Sequence, residues 1–373
     1  MRTVARFPDV PLLPSLLQTL EAVGFTAPTP VQAASLPALL DGHSVVAVAE
    51  TGSGKTLAYG LPLLDRLKRL ELDGSSVQAE GRPRGVVVVP GRELGEQVSK
   101  ALKQFTHDTR LRIRTALGGS RKKVVRENVS GRFEVLVATP GRLTQLLDGG
   151  QLRLDDLRTL VFDEADELLD PGFVPVARRL LGEAPTEVQL VMVSATLPDA
   201  LEAAVAALFV QPPVRVQTAG SEALVPTLSV ERRAVRQGGR LEALGGVLDE
   251  APGESTILFV NSREQCDLVA GWLDERGYAF VVYRGELDRV ERRANLARFR
   301  EGEVGVLLTT DLGGRGLDIE HVERVVNVFL PRERARYLHR AGRTARAGRR
   351  GTMIDLVGPR DQERVAGLPR PRG

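Results

Sequence analysis

Short runs of consecutive apolar residues recur along the chain, and each is followed by a turn and then by a helical pattern. These runs occupy residues 45–48, 86–89, 135–137, 160–162 and 190–193 in the first part of the chain and 257–260, 304–308 and 325–328 in the second. Apolar runs without polar alternation are typical of strands buried on both faces, and their alternation with helices indicates parallel βαβ units. The alternation stops after about Val210, in a stretch that contains Pro, Gly and Ser, and then restarts. The pattern predicts an α/β protein with two parallel-sheet lobes, at 1–210 and 226–358, joined by a short linker at 211–225 and followed by a disordered tail at 359–373.

Composition narrows the class of protein. The chain has 373 residues, more than one ordinary domain, and its 42% apolar and 27% charged residues are typical of globular proteins. The one cysteine, Cys266, excludes an internal disulfide framework and favours a reducing compartment. No apolar run approaches the ~20 residues of a membrane helix, so we expect a soluble cytoplasmic protein. The net charge of +3 does not by itself predict a nucleic-acid partner, and an aromatic content of 4% argues against a surface of stacked rings.

Residues 49–56, with the sequence AETGSGKT, follow a predicted strand and begin a predicted helix. Gly52 and Gly54 allow backbone N–H groups to turn toward phosphate oxygens at a helix N-terminus, where the helix dipole favours anions. Lys55 can then reach the β- and γ-phosphates, and the Thr56 hydroxyl can bind Mg²⁺. The general phosphate-loop pattern has Gly where this chain has Ala49. The segment nevertheless predicts a nucleoside triphosphate site.

An acidic cluster, Asp163-Glu164-Ala165-Asp166, ends another predicted buried strand. One carboxylate there can hold Mg²⁺ and the next can polarise the attacking water, so we assign Asp163 to the metal and Glu164 to the water. Alone, such a cluster is more often a solvated helix start stabilised by the helix dipole. The phosphate loop makes the catalytic interpretation the stronger one.

Three arginines recur at intervals of three residues, at Arg340, Arg343 and Arg346, on one face of a predicted helix. Guanidinium groups suit the spread negative charge of a phosphoryl group in transfer. In a chain this rich in arginine, a solvated basic face is an equally good explanation of the spacing. Because the second lobe has no phosphate loop of its own, we expect these arginines to complete the site of the first lobe.

The chain resembles the DEAD-box ATP-dependent RNA helicases of superfamily 2 in ten motifs that follow one another in the order of that family. They are GFTAPTPVQ, AETGSGKT, PGRELGEQV, GGS, ATPGR, VFDEAD, SAT, LFVNS, TTDLGGRGLDI and HRAGRTARAG, within a match from about Phe7 to Val357. The resemblance implies two RecA-like lobes, ATP and Mg²⁺ as cofactors, RNA as the partner and RNA-dependent ATP hydrolysis as the activity. Ala49, which departs from the general phosphate loop, is usual in this family.

The resemblance also implies nucleotide contacts in the first lobe. Gln32 reads the adenine edge, to which an amide can make two hydrogen bonds, with Thr29 in support and Phe25 or Phe7 packed on the base. Ser194 and Thr196 couple hydrolysis to strand separation, although hydroxyl caps at a helix start are the plainer explanation. The phosphate loop contributes Thr51, Gly52, Ser53, Gly54, Lys55 and Thr56.

In the second lobe the resemblance implies contacts with both the nucleotide and the closed cleft. Asp311 contacts the ribose, and Gly316 and Asp318 help to position the cleft. His339 bridges motifs near the γ-phosphate. Arg343 and Arg346 act as arginine fingers.

An RNA track is implied across both lobes. Its residues are Arg92, Gly119, Thr139, Gly141 and Arg142 in the first lobe and Asn261, Arg263, Thr309 and Gly314 in the second. Backbone amides, small residues and arginines suit phosphate and sugar contacts, so binding should tolerate any sequence and weaken with salt. Preference for RNA over DNA requires contact with the 2′-hydroxyl, which is implied only by the resemblance.

Departures from the family pattern concern RNA binding and coupling, and none removes an ATPase residue. Gly91 replaces a usual Thr, Gly313-Gly314 a pair of alanines, Ala345 a common Gly and Arg289 a Gln.

The same motifs would serve an ATP-gated clamp that grips RNA without useful unwinding. A DNA-translocating helicase and an inactive scaffold are further alternatives, less favoured because of Gln32 and the complete ATPase set. We expect a monomer that acts on RNA or on ribonucleoprotein partners.

Overall fold

The computed structural model describes residues 4–50, 52–119, 122–168, 173–218, 227–285, 287–311, 322–345 and 349–368. The chain divides into two compact units, Met1–Ser221 and Glu222–Gly373. Each unit contains one parallel β-sheet with helices in the connections. This confirms the predicted fold class of two tandem parallel-sheet α/β lobes.

Unit 1 is built on seven parallel strands in the order β3-β4-β2-β5-β6-β1-β7. The strands are β1 (Val45–Val48), β2 (Gly85–Val88), β3 (Ile113–Ala116), β4 (Val135–Ala138), β5 (Thr159–Asp163), β6 (Gln189–Ser194) and β7 (Val214–Gln217). The helices are α1 (Pro14–Ala22), α2 (Pro30–Leu40), α3 (Lys55–Leu72), α4 (Arg92–Gln104), α5 (Thr106–Thr109), α6 (Lys122–Asn128), α7 (Pro140–Asp148), α8 (Ala165–Leu168), α9 (Phe173–Glu183) and α10 (Asp199–Leu208).

Unit 2 is built on six parallel strands in the order β10-β11-β9-β12-β13-β8. They are β8 (Leu228–Ala234), β9 (Thr256–Val260), β10 (Phe280–Tyr283), β11 (Val306–Thr310), β12 (Arg324–Asn327) and β13 (Gly351–Val357). The helices are α11 (Arg240–Glu250), α12 (Arg263–Glu275), α13 (Arg289–Arg300), α14 (Arg334–Ala341) and α15 (Gln362–Ala366).

Strands β1, β4 and β9 are apolar at every or nearly every position because each sheet is covered on both faces. In β1, Val45 and Ala47 belong to one cluster of buried side chains, whereas Val46 and Val48 belong to another. Successive side chains of a strand point to opposite faces, so one unbroken apolar run supplies two cores. Strand β9 of unit 2 divides its side chains between two clusters in the same way. Full burial of one such side chain contributes about 1.5–3 kcal/mol.

Regular structure lies within both the predicted linker and the predicted tail. Strand β7 lies inside the segment 211–225 and pairs with β1, with Val214 opposite Val45. It is an edge strand with one buried valine, Val216, so its four residues alternate and do not resemble the central runs. In the tail, residues 359–361 form a 3₁₀ turn that leads into α15, and buried Asp361 accepts a 2.7 Å hydrogen bond from Arg240 Nη2. Residues 359–366, in the segment that we expected to be disordered, therefore form helical turns.

Candidate active site

The carboxyl ends of three adjacent strands form one part of the edge of the unit 1 sheet. Strand β1 pairs with β6, with Val48 opposite Ser194, and β6 pairs with β5, with Val193 opposite Asp163. The chain leaves these ends at the phosphate loop, at the SAT motif and at the acidic cluster. Ligands of open parallel sheets bind beyond the carboxyl ends of strands, so this is the candidate site.

The phosphate loop has the backbone geometry that its glycines suggested. Gly52 and Gly54 have φ angles of +82° and +88°, a region that favours glycine. A Cβ on Gly54 would also lie 2.5 Å from Gln32 Nε2, so a side chain there would displace the Gln32 amide as well as strain the backbone. Helix α3 begins at Lys55, directly after the loop. The Ser53 hydroxyl donates to Glu50 O over 2.6 Å, and Thr51 lies outside the described residues.

Lys55 is buried within the loop and bound to its carbonyl oxygens. Its Nζ donates to Ala49 O over 2.7 Å and to Glu50 O over 2.9 Å, and the residue is 8% exposed. Burial lowers the pKa of the ammonium, while the carboxylates of Glu164 and Asp163 act in the opposite direction. A buried cation held by neutral carbonyl groups is a ready partner for an anionic phosphate.

Gln32 joins the start of helix α2 to the phosphate loop. Its Oε1 accepts from the Thr29 backbone N–H, and its Nε2 donates to Gly54 O, each over 3.0 Å. The sequence analysis assigned Gln32 and Thr29 to the adenine base. The structure adds a direct hydrogen bond between Gln32 and the phosphate loop. Of the two aromatic candidates, Phe25 is 44% exposed, whereas Phe7 is 3% exposed within the core.

Asp163 is held by hydrogen bonds to both of its carboxylate oxygens. Tyr59 Oη donates to Oδ2 over 2.7 Å, and the Glu164 backbone N–H donates to Oδ1 over 2.9 Å. Burial raises the pKa of Asp163, and the Tyr59 hydrogen bond and the charge of Lys55 oppose this shift. Glu164 has a φ of +50°, which is uncommon outside glycine and often marks a functional position. Sequence reasoning missed Tyr59, which has no motif of its own.

The last acid of the cluster, Asp166, binds the SAT motif. Its Oδ2 accepts from the Thr196 backbone N–H over 3.1 Å and from the Thr196 hydroxyl over 2.6 Å. The Ser194 hydroxyl in turn donates to Thr196 O over 2.7 Å. Sequence reasoning assigned a coupling role to Ser194 and Thr196 and none to Asp166. An unassigned acid within a catalytic cluster was the signal that could have identified it.

The residues predicted to bind RNA in unit 1 lie at the carboxyl ends of β2, β3 and β4, the other part of the same sheet edge. Arg92 begins α4 and pairs with Glu96 over 2.7 Å, and a Cβ on Gly119, where φ is +74°, would lie 3.5 Å from Arg92 Nη1. Buried Thr139 is the N-cap residue of α7, and Gly141 and Arg142 lie in its first turn. The Arg142 guanidinium donates to Gln145 Oε1 over 2.7 Å.

Arg340 is the centre of the unit 2 site and is 1% exposed. Its guanidinium donates to both oxygens of Asp311, over 2.5 and 2.8 Å, and to Asn261 Oδ1 over 2.7 Å. Further bonds run to Asn327 Oδ1 over 2.9 Å and to the Phe329 carbonyl oxygen over 2.8 Å. The buried charge is therefore paired and fully hydrogen-bonded, which burial requires.

Three predicted ligand contacts in unit 2 are engaged inside the protein. The carboxylate of Asp311 and the amide oxygen of Asn261 both bind Arg340, and Asn261 Nδ2 donates to Leu330 O over 2.9 Å. Thr309 is fully buried, and its hydroxyl donates to Tyr283 O over 2.6 Å. For the Thr309 hydroxyl to donate to an RNA phosphate, this bond would have to break. Arg263, the first residue of α12, is exposed.

The other predicted residues of unit 2 follow strand β11 or lie on helix α14 and just after it. His339 lies in the last turn of α14, and Arg343 follows the helix and is buried. Ala345, where the family commonly has glycine, has a φ of +55°. Gly314, Gly316, Asp318 and Arg346 lie outside the described residues.

Two properties of the described residues bear on the class of protein. No helix in this part of the chain combines the length and apolar character needed to cross a membrane. Within the same residues, no group of three or more His, Cys, Asp or Glu side chains is arranged to hold a metal ion. Mg²⁺ in nucleotide sites is commonly held by one or two carboxylates together with phosphates, and such a site needs no larger cluster of side chains.

Comparison with known proteins agrees with these motifs. Residues 29–204 match the DEAD/DEAH box helicase family, and residues 239–348 match the helicase conserved C-terminal domain. The DEAD-box ATP-dependent RNA helicase CshA of Bacillus cereus is 34% identical over 364 residues, which cover 98% of this chain and 67% of that protein. The DEAD-box ATP-dependent RNA helicase RhpA of Helicobacter pylori is 32% identical over 353 residues, covering 95% of this chain and 70% of its own.

Solved structures show the same fold. S. cerevisiae Dbp5 bound to RNA and ADP BeF3 matches with a TM-score of 0.84 at 28% identity, over 98% of this chain and 92% of that one. The DEAD-box helicase Mss116 bound to ssRNA and UDP-BeF has the same fold, with a TM-score of 0.82 at 23% identity, over 96% of this chain and 76% of that one. From the curated relatives and the two matching families, the chain belongs to the DEAD-box ATP-dependent RNA helicase family.

Proposed function

We propose that this helicase binds Mg²⁺·ATP at the carboxyl ends of β1, β5 and β6 and binds RNA at the carboxyl ends of β2, β3 and β4. The observation that carries the proposal is the strand order of unit 1. In this order the ends of β1, β5 and β6 and the ends of β2, β3 and β4 occupy adjoining halves of one sheet edge. The border falls between β2 and β5, which are paired, with Val88 opposite Phe162. RNA on one half therefore lies next to the acidic cluster on the other.

ATP binding rests on residues whose positions in unit 1 suit the task. The N–H groups of the phosphate loop and Lys55 bind the phosphates, and Gln32 binds the adenine edge. Thr56 and Asp163 would hold Mg²⁺, which supplies charge neutralisation at the phosphates. Their hydroxyl and carboxylate oxygens are the hard donors that this ion prefers. Glu164 orients the attacking water and accepts its proton.

Unit 2 contributes positive charge to the same reaction. Arg343 and Arg346 act on the γ-phosphate in the transition state, where a positioned guanidinium stabilises the spread charge. His339 bridges motifs near that phosphate, and Asp311 contacts the ribose. Gly316 and Asp318 help to position the closed state. Hydrolysis then depends on both units, which is how RNA binding controls it.

RNA binds through its backbone in this proposal. The set in unit 1 combines two arginines, Arg92 and Arg142, with a glycine and a helix N-terminus, all of which suit phosphate oxygens. Asn261, Arg263, Thr309 and Gly314 of unit 2 extend the track. The RNA bound to Dbp5, which shares this fold, supports the assignment. We further propose a monomer that acts in the cytoplasm on RNA and on ribonucleoprotein complexes.

The first experiment measures phosphate release with no nucleic acid, with single-stranded RNA and with DNA of matched sequence. We expect strong stimulation by RNA and little by DNA. Lys55→Ala should abolish hydrolysis, whereas Lys68→Ala, on the same helix and paired with Glu71 over 2.9 Å, should behave as the native chain. Equal stimulation by DNA would contradict the RNA assignment, and hydrolysis by Lys55→Ala would contradict the nucleotide site.

Strand separation distinguishes a helicase from an ATP-gated clamp. A short RNA duplex with one labelled strand is mixed with the protein, and release of that strand is followed with ATP and with a non-hydrolysable analogue. We expect release that requires ATP. Stable RNA retention in the analogue with no release in ATP would support the clamp.

A further inference from the structure

Tyr59 connects the helix of the phosphate loop to the end of β5. It lies on α3 one turn after Lys55, and its side chain is almost fully buried. Its hydroxyl donates over 2.7 Å to Asp163, which is 104 residues further along the chain. A buried phenol normally requires a hydrogen-bond partner. In this case the partner is the carboxylate that we propose for Mg²⁺.

The two hydrogen bonds to Asp163 fix the plane of its carboxylate. One comes from the Glu164 backbone N–H to Oδ1, and the other comes from Tyr59 to Oδ2. Each carboxylate oxygen can accept more than one bond, so capacity for a cation is retained. The backbone donor is present whatever side chain occupies position 164. Tyr59 is therefore the side chain that donates the second hydrogen bond to the carboxylate.

Thr56 lies three residues before Tyr59, on the same face of α3. Burial and the charge of Asp163 raise the pKa of Tyr59 well above its usual value, and a side-chain hydrogen bond with Thr56 opposes this shift. The phenol therefore lies on the same face of α3 as Thr56 and is bound to the carboxylate of Asp163. Those are the two side chains that would hold the ion with the nucleotide.

We propose that Tyr59 is a positioning residue for Mg²⁺, acting through the orientation of the Asp163 carboxylate. The inference rests on the proposed Mg²⁺·nucleotide site. Outer-shell partners of metal-ligating groups typically change metal affinity by about 10- to 100-fold. Removal of the hydroxyl should therefore weaken the contribution of Mg²⁺ to nucleotide binding, while the contacts made by the nucleotide itself remain.

The test is Tyr59→Phe in the full chain, which keeps the ring and removes the hydroxyl. Binding of a fluorescent N-methylanthraniloyl derivative of ADP is measured in EDTA and then over a series of Mg²⁺ concentrations. We expect equal affinity in EDTA for the native chain and the variant, which also shows that the variant is folded. We expect the Mg²⁺ concentration at half-maximal enhancement to rise by about 10-fold or more in the variant.

Tyr278→Phe is the matched control, because Tyr278 also donates to an aspartate, Asp249, over 2.8 Å, but on the surface of unit 2. It should leave the Mg²⁺ midpoint unchanged. Equal midpoints in Tyr59→Phe and the native chain would overturn the proposal. Failure of the native chain to bind the ADP derivative at any Mg²⁺ concentration would instead overturn the proposed function, and with it this inference.

A second measurement uses the native chain and does not depend on the folding of a variant. Mg²⁺ is added to the ADP complex, and the ultraviolet difference spectrum of tyrosine is recorded. An ion that binds Asp163 changes the acceptor of the Tyr59 hydroxyl, so we expect a tyrosine difference band that follows the same Mg²⁺ midpoint. Absence of this band would overturn the proposal.

Discussion

Two hydrogen bonds from Thr196 converge on one carboxylate oxygen of Asp166, from the backbone N–H at 3.1 Å and from the hydroxyl at 2.6 Å. They link the segment after β5, where Glu164 lies, to the segment after β6. Hydrogen bonds to an ionised acceptor contribute about 1.5–3 kcal/mol. We propose that a movement of the acidic cluster during hydrolysis reaches the SAT motif through these two bonds.

Thr196→Val should separate hydrolysis from strand separation. The change removes the hydroxyl donor and keeps the branched shape and the backbone N–H. We expect RNA-stimulated phosphate release to persist while the number of strands released per ATP falls. Thr186→Val is the control, because the Thr186 hydroxyl donates to the neighbouring Glu187 over 3.1 Å at an exposed site. A parallel loss of both activities would contradict a coupling role.

Glu164→Gln should reduce ATP hydrolysis by about 10²-fold or more, because an amide cannot accept the proton of the attacking water. Binding of ATP should persist, since the phosphate loop is untouched. Phosphate release in saturating RNA measures the loss. Glu167→Gln, in the same acidic segment, should retain activity. Near-native hydrolysis by Glu164→Gln would remove its assigned role.

Gln32→Ala should abolish the preference for ATP over GTP. The Gln32 amide also bonds Thr29 and Gly54 within the protein, so the change should loosen the phosphate loop as well. A bidentate amide–adenine pair discriminates against the wrong base by about 1–3 kcal/mol. The measurement is kcat/KM for both nucleotides, with Gln78→Ala, an exposed position, as control. A variant that is weaker with both nucleotides but equally selective would support the structural role of Gln32 alone.

Arg340→Ala should destabilise unit 2 by about 3–5 kcal/mol, the cost of removing one partner from a buried ion pair. Asp311 would be left without its main counter-charge. The single tryptophan, Trp272, lies in unit 2, so its fluorescence during urea unfolding reports this unit. Arg336→Ala, one turn earlier with its side chain 45% exposed, should cost less than about 1 kcal/mol. Coincident unfolding curves for Arg340→Ala and the native chain would contradict the prediction.

Ala345→Gly should stabilise unit 2 by about 0.5–1 kcal/mol. A left-handed backbone costs an alanine roughly 1–2 kcal/mol, part of which is offset by the greater freedom of glycine in the unfolded chain. The φ of +55° gives a physical reason for the glycine that the family commonly has here. Ala341→Gly, within α14, should instead destabilise. Trp272 fluorescence during urea unfolding shows whether the free energy of unfolding of unit 2 rises or falls.

Strands buried on both faces were predictable because their signal is local, with the exception of the interior strand β13, which the sequence analysis missed. Val45–Val48 and Thr256–Val260 are apolar at every or nearly every position, a pattern that favours a strand covered on both faces. Edge strands such as β7 and β8 were missed because solvent on one side allows polar residues to alternate with apolar ones. The phosphate loop and the acidic cluster were equally easy to recognise, since each consists of a few consecutive residues.

Contacts between distant segments were decided by the tertiary structure alone. Tyr59 reaches Asp163 because α3 packs across the sheet, and Arg340 reaches Asp311 from 29 residues away. No periodicity in the sequence indicates either of these pairings. Likewise, nothing local reveals that the hydroxyl of Thr309 or the amide of Asn261 is already engaged inside unit 2. The sequence by itself determined which chemistry each strand end carries, whereas the order of the strands, a non-local property, decided which of those ends are neighbours.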